Sequence, residues 1–382
     1  MIERVDHVRA IERQLKSFPV VAIVGMRQVG KTTLARQVAA GRSEVVHYFD
    51  LENEEDRARL VDPGLTLKEL RGLIILDEIQ HSPDLFMTLR VLADRPRKLA
   101  RFLVLGSASG DLLRQSSESL AGRISYHHVA PLSLAEISTA KSKQLWLRGG
   151  LPRSYLARSN RASLDWRKQF IRTFLERDLG QFGLRLSATT MRRFWTMLAH
   201  YHGQLFNAAE LARSLGVDHK TTRRYLDLLT DTFAVHQLQP WHANLKKRQV
   251  KSPKIYLSDT GLLHSLLGID DLHALEGHPK LGASWEGFMI QEVLDTLGLG
   301  YSDAWFWAVH SGAELDLLVR KGRKVLGFEF KRSTAPRLTT SMRTALEDLG
   351  LTHLYVVHAG EHDFPMAKRI SALAAHSICS TL

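Results

Sequence analysis

Three groups of residues have the types and spacing that chemistry needs. Gly25-Met26-Arg27-Gln28-Val29-Gly30-Lys31-Thr32 fits G-x-x-x-x-G-K-[ST] at every fixed position. Glycines there let successive backbone N–H groups curl around a phosphate, and Lys31 offers a point charge to the β- and γ-phosphates. The Thr32 hydroxyl suits Mg²⁺, and Thr33 opens the helix whose N-terminal dipole faces the anion. Downstream, Leu73-Ile74-Ile75-Leu76-Asp77-Glu78 is an apolar run that closes on two acids. At the tip of a buried strand Asp77 would hold the water shell of Mg²⁺, and Glu78 would act as general base on an attacking water. A helix-capping acid after a strand accounts for one carboxylate but not for this pair. The expected chemistry is ATP binding with Mg²⁺, followed by hydrolysis.

Two further positions extend that set. Phe102-Leu103-Val104-Leu105 reads as a strand that runs into Gly106-Ser107-Ala108-Ser109. Ser107 is the better candidate for a hydroxyl that senses the γ-phosphate, while Ser109 serves equally well as a turn residue capping the next helix. Arg123, after the turn-like Gly122, would stabilise γ-phosphate charge in cis or in trans, or else be an ordinary surface arginine. Asp50, closing Tyr48-Phe49-Asp50, is expected to cap the helix that follows.

The second group lies near the C-terminus. Ala313–Val319 and Val325–Lys331 read as the strands of a hairpin, joined by Lys321-Gly322-Arg323-Lys324. Asp316 and Glu329 would then lie side by side as a hard oxygen site for Mg²⁺. Lys331 shares a strand face with Glu329 and would orient a nucleophilic water or stabilise a pentacovalent phosphate. Glu286, on an amphipathic helix over 285–294, would complete the site. A hairpin with ion-paired strand residues is the plainer alternative.

The third group is basic. Asn207-Ala208-Ala209-Glu210 has a capping-box pattern opening a helix with Leu211, Ala212 and Leu215 inward. A turn at Gly216-Val217-Asp218 leads to a second helix that carries Lys220, Thr221, Arg223 and Arg224 near its start, where a recognition helix meets bases and phosphates. Strands over 234–238 and 254–257, with Leu245–Arg248 as the tip between them, would make a wing.

The elements that must hold these groups follow from pattern. Short apolar runs around the phosphate loop predict an α/β P-loop NTPase sheet with helices on both faces over 1–140. Residues 141–204 have helical periodicity, for example Phe170, Phe174, Leu175 and Leu179, and form a connector. Trp146, Trp166 and Trp195 look like packing residues, and Gly149-Gly150-Leu151-Pro152 looks like a boundary or hinge. A winged helix-turn-helix is expected over 205–265, and an α/β restriction-endonuclease-like domain over 266–382.

Charge is unevenly spread. The chain of 382 residues has a net +12, and residues 141–280 hold 23 Lys and Arg against 11 Asp and Glu. The rest is close to neutral, so a polyanion, with DNA foremost, is the expected partner of residues 205–255. Self-association into a homo-oligomer stays open. The single cysteine, Cys379, excludes an internal disulfide framework and a cysteine zinc site. No apolar run approaches the roughly 20 residues of a membrane span, and Met1-Ile2-Glu3-Arg4-Val5-Asp6 mixes charges early where a secretory signal would be expected to have an apolar stretch. A soluble, cytoplasmic protein is expected.

The order of these parts resembles the bacterial and archaeal AAA-like P-loop ATPases whose C-terminal half is a domain of unknown function related to the PD-(D/E)XK nucleases. The likeness rests on Gly25–Thr33, Tyr48–Glu52, Leu73–Gln80, Leu105–Ser109 and Leu120–Arg123. It continues through Tyr256-Leu257-Ser258-Asp259-Thr260-Gly261, Trp285–Glu292, Ala313–Val319 and Phe328–Ser333. The resemblance implies an ATP site with Asp77 and Glu78 as its acids, then a winged helix, then a nuclease-like module with Glu286, Asp316, Glu329 and Lys331. The strand Glu329-Phe330-Lys331 departs from that pattern in its large middle residue, where a smaller aliphatic is usual.

Overall fold

The computed structural model describes residues 2–95, 100–107, 118–178, 187–242, 250–309 and 312–382. The chain forms two compact units, Met1–Pro131 with Asp231–Phe233, and Leu132–Thr230 with Ala234–Leu382.

In the first unit, strands β1 (Val20–Gly25), β2 (Val46–Asp50), β3 (Gly72–Asp77), β4 (Ala100–Ser107) and β5 (Ile124–His128) make one parallel sheet in the order β2-β3-β4-β1-β5. Val20, Ala22, Val24, Ile74, Leu76, Phe102 and Val104 pack in one core with Leu85, Phe86 and Leu89. Their alternates Val21, Ile23, Leu73 and Ile75 are buried as fully. Both faces are therefore covered, which is why the strands read as continuous apolar runs. Because every strand runs the same way, Gly25, Asp50, Asp77 and Ser107 all end on one edge, the edge where open α/β sheets bind ligands. Asp50 does not cap the next helix. Asn53 does, its side chain accepting from Glu55 N, while Asp50 Oδ1 accepts from Glu52 N.

The second unit holds the chain from Leu132 onward apart from Asp231–Phe233. Helix Asn160–Thr173 with Phe174 at its end, and helix Ala188–His200, bring Phe170, Phe174 and Trp195 into one aromatic cluster. Leu179, the last member of the expected periodicity, lies outside the described residues. Asn207 caps helix Ala208–Leu215 by accepting from Glu210 N, and Gly216 turns in the left-handed region, φ 71°, into helix His219–Asp231. Strand β6 (Gln204–Leu205) precedes these two helices, and strands β7 (Val235–Pro240) and β8 (Lys254–Leu257) follow them. They are not a separate wing. β7 pairs in parallel with β9 (Ala304–Ala308), so the hairpin extends the C-terminal sheet. That sheet continues with β10 (Glu314–Lys321), β11 (Lys324–Lys331), β12 (His353–His358), β13 (Phe364–Ala367) and β14 (Ile370–Ala374), in the order β13-β14-β12-β11-β10-β9-β7-β8-β6. The expected wing tip, 245–248, lies outside the described residues.

The glycine-rich breaker is a buried corner rather than a hinge. Asp259, 3% exposed, accepts from Gly150 N at 2.8 Å, Leu151 N at 3.2 Å and Leu262 N at 2.9 Å. A Cβ on Gly149 would lie 2.1 Å from Asp259 Oδ1, and one on Gly261 would lie 2.0 Å from the carbonyl oxygen of Arg148. Two glycine motifs about 110 residues apart are thus halves of one joint.

Candidate functional site

At the end of β1 the chain curls through Gln28 (φ 58°) and Gly30 (φ 103°) into helix Lys31–Ala40. Gly25 admits no side chain, since a Cβ would stand 2.4 Å from the carbonyl oxygen of Val129. Arg4, buried, props the loop from below. Its guanidinium donates to the carbonyl oxygens of Val29 at 3.5 Å and Ala130 at 3.0 Å. Inside the curl Lys31 is 7% exposed and donates to the carbonyl oxygens of Gly25 and Met26, both at 3.1 Å. Burial lowers its pKa to about 8, although Glu78 and Asp77 pull the other way. A buried ammonium faced by neutral carbonyls is completed by an anion.

Asp77 gathers the site. Thr32 Oγ1 donates to its Oδ2 at 2.8 Å, Tyr48 OH donates to the same oxygen at 2.6 Å, and Glu78 N donates to Oδ1 at 2.9 Å. Burial, then the bond to Asp77, raises the Tyr48 pKa. Thr32 and Asp77 together form an oxygen donor set that fits Mg²⁺. Glu78 leaves β3 with φ 53°, a left-handed conformation that costs a non-glycine residue about 1 kcal/mol or more. Gln80 Nε2 donates to Glu78 Oε2.

The other two nucleotide-site candidates separate. Ser107 pairs in register with Gly25, beside the loop, whereas Ser109 lies outside the described residues. Arg123 precedes β5, which runs parallel to β1 with Val20 beside Ile124. It therefore sits at the opposite edge of the sheet from the loop, and it forks onto Asp94 at 2.5 and 2.8 Å. The expected role in cis is corrected by that placement.

The C-terminal residues do converge. The hairpin register, Leu317 opposite Phe328, carried one step further puts Asp316 opposite Glu329. Helix Leu281–Leu297 brings Glu286; it is buried on nearly all sides instead of amphipathic. Lys331 Nζ lies 2.8 Å from Glu329 Oε2 and 3.8 Å from Asp316 Oδ2. The sequence reading missed two members. Lys254 Nζ stands 3.5 Å from Glu286 Oε1 and 3.7 Å from Asp316 Oδ1, and Tyr256 OH donates to Glu286. Their signal was the two-residue period of β8, which sets both on one face. Asp316 Oδ2 also accepts from Phe330 N at 3.0 Å. Burial, then the Asp316 charge, raises Glu329 to about 8 and Glu286 to about 7. Among the described residues no three His, Cys, Asp or Glu side chains are arranged to hold a metal. At the expected Mg²⁺ site of Asp316 and Glu329 the ammonium groups of Lys254 and Lys331 face the carboxylates.

On the exposed side of helix His219–Asp231 stand Lys220, Arg223 and Arg224, with Thr221 tied to Asp218.

The parallel sheet with its phosphate loop and paired acids defines an AAA-type P-loop ATPase domain, and residues 17–138 match the family model described as an AAA domain. Residues 139–273 and 281–378 match two domains of unknown function, DUF8612 and DUF4143. The chain is 53% identical over 381 residues to the uncharacterized protein Rv2008c of Mycobacterium tuberculosis, and equally to Mb2031c of Mycobacterium bovis. These alignments cover 100% of this chain and 86% of each relative. It belongs to their family. Among solved structures, the Walker-type ATPase PABY2304 of Pyrococcus abyssi covers 70% of this chain and 96% of its own, with a TM-score of 0.52 at 14% identity, a likeness of fold.

Proposed function

We propose that this protein hydrolyses ATP in its first unit and engages DNA through the helix-turn-helix and hairpin of its second. The single observation that supports hydrolysis best is Lys31, a buried ammonium within a curled loop that donates to the peptide carbonyls of Gly25 and Met26. The β- and γ-phosphates of ATP suit that charge and the loop's N–H groups. Thr32 and Asp77 would hold Mg²⁺, which when bound would neutralise phosphate charge. Tyr48 and the Glu78 amide fix the Asp77 carboxylate. Glu78 accepts the proton of the attacking water on its carboxylate, aimed by its left-handed turn and by Gln80. Ser107 is the polar residue beside the loop suited to the γ-phosphate. Lys31→Ala should lower phosphate release by about 10²- to 10³-fold, as loss of a preorganised charge partner does; unchanged turnover removes the assignment.

For DNA, the support is Lys220, Arg223 and Arg224 on one exposed helix face, within the segment that carries the chain's excess charge. We read β7 and β8 as a wing absorbed into the C-terminal sheet. Affinity for duplex DNA should fall steeply with salt, and a flat dependence removes the polyanion partner. We also place the protein in the cytoplasm; among the described residues no helix is long and apolar enough to cross a membrane.

A second reading, an ATP-gated protein-binding switch with an inert C-terminal module, is favoured by the ion-paired state of Glu286, Asp316, Glu329 and Lys331. Slow turnover with tight nucleotide retention, and no DNA binding at physiological salt, would select it. We assign no step of nuclease chemistry to those residues.

A further inference from the structure

Helices Asn160–Thr173, Ala188–His200 and Thr260–Leu266 meet around a cavity of about 240 Å³ that neither the ATP site nor the DNA contact uses. Its polar lining is mostly cationic. Lys168 and Arg172 stand one turn apart on the first helix, and Arg192 and Thr196 one turn apart on the second. Among the described residues no carboxylate lines it. Ser265 lines it from the third helix, and its hydroxyl, shut off from solvent, has no hydrogen-bond partner among the described residues. A helical serine can bond the carbonyl one turn back, but that oxygen, of Gly261, already accepts from Arg167 at 2.6 Å. We propose that this cavity binds a phosphate group, carried either by a small soluble ester or by the backbone of DNA.

Charge and size decide the ligand. Three cations gathered around one recess repel one another, and an anion among them relieves that repulsion. The acids nearby compete weakly for them. Lys168 lies 3.9 Å from Asp270, beyond hydrogen-bond length, and Arg172 meets Glu176 at 3.0 Å in an exposed pair. Arg192 forms no ion pair among the described residues. The guanidinium forks of Arg172 and Arg192 suit the oxygens of a tetrahedral phosphate, with the Thr196 and Ser265 hydroxyls as further donors. The volume falls short of the roughly 300 Å³ or more that encloses a drug-sized ligand. It suits a phosphate and a few attached atoms, so the phosphate itself is what the cavity recognises.

The test is inorganic pyrophosphate binding to the full chain, followed by titration calorimetry in a Lys31→Met background that removes the charge of the phosphate loop. The starting protein should bind tighter than about millimolar, and Arg192→Gln should weaken binding at least about tenfold, as loss of a charge-assisted contact does. Arg192 is exposed, so its replacement leaves the fold intact. Arg193→Gln is the control. The next residue on the same helix, Arg193 turns instead to the helix-turn-helix, donating to the carbonyl oxygen of Ser214 at 3.4 Å, and its loss should change binding by less than about twofold. No binding tighter than about millimolar in the starting protein, no change in Arg192→Gln, or equal weakening by both variants overturns the proposal. Competition with a short DNA duplex separates the two carriers. Pyrophosphate that stays in place supports a small ester, whereas displacement that disappears in Arg192→Gln supports a backbone phosphate at the same site. Neither arm reads ATP turnover, so failure here and failure of the ATPase assignment are distinguishable.

Discussion

Two buried lysines of this chain stand in opposite electrostatic settings. Lys31 has carbonyl oxygens for close partners, and burial lowers its pKa to about 8. Lys254 is also penalised by burial, yet the carboxylates of Glu286 and Asp316 outweigh that cost and raise its pKa. One ammonium is left to be completed from outside, and the other is completed by the fold. A lysine alone therefore marks neither a binding site nor a structural pair; the charge of its nearest oxygens decides which it is.

Removing each charge should have opposite consequences for stability. The largest effect expected is from Lys254→Met, which strips a partner from two buried carboxylates and should destabilise the second unit by about 3 kcal/mol or more. Denaturant unfolding checks it, and a loss below about 1 kcal/mol would mean that the carboxylates do not depend on Lys254.

Lys31→Met should do the reverse and stabilise the nucleotide-free first unit at pH 7 by up to about 3 kcal/mol, the equivalent of moving a pKa from 10.5 to about 8. The sign follows from proton uptake. Between pH 8 and 10.5 the unfolded chain binds the lysine proton more tightly than the folded one, so wild-type stability should rise with pH through that window. The penalty is fully present below pH 8. In Lys31→Met the rise should vanish, and so should ATP binding; a variant that loses both ATP binding and stability would place Lys31 with Lys254 as a structural pair.

Much of the first site was readable because its parts are contiguous: an octapeptide supplies the cradle, and Asp77-Glu78 follows an apolar run that can hardly be anything but a buried strand. What stayed hidden depends on pairings between strands. Tyr48 reaches Asp77 only because β2 lies beside β3, with Asp50 opposite Asp77. Arg4 props the loop from the position just before the helix Val5–Ser17. In the second unit the hairpin acids were readable from period and turn, but Lys254 and Tyr256 arrive on a strand about 60 residues upstream. No local pattern announces that β7 and β9 join two segments into one sheet. Asp259 likewise gives no sign by itself of the distant glycines it fits.

A smaller effect sharpens the account of the first site. Tyr48→Phe removes one of three donors to Asp77 and leaves Thr32 and the Glu78 amide in place. Loss of one such bond is worth about 1 kcal/mol, so kcat/KM for ATP should fall about fivefold, against the far larger loss for Lys31→Ala. A fall beyond about 100-fold would make Tyr48 a direct participant and not a support for Asp77.

The smallest effect is expected at Arg123, where sheet direction overrides sequence pattern. The four residues from Ile124 to His127 that pair with Val20 to Ile23 separate Arg123 from the loop edge. At about 3.3 Å per residue, the strand holds its backbone well beyond side-chain reach of a nucleotide on the same chain. Its two-pronged pair with Asp94 is exposed, a kind that contributes little to stability. Arg123→Ala should therefore leave ATP turnover within about twofold of wild type when the protein is dilute. A tenfold drop under those conditions would sink the register argument. A drop that appears only as concentration rises, and that mixing with Lys31→Ala protein partly restores, would show the arginine serving the nucleotide of a second copy, which places the opposite edge of one sheet against the phosphate loop of the next.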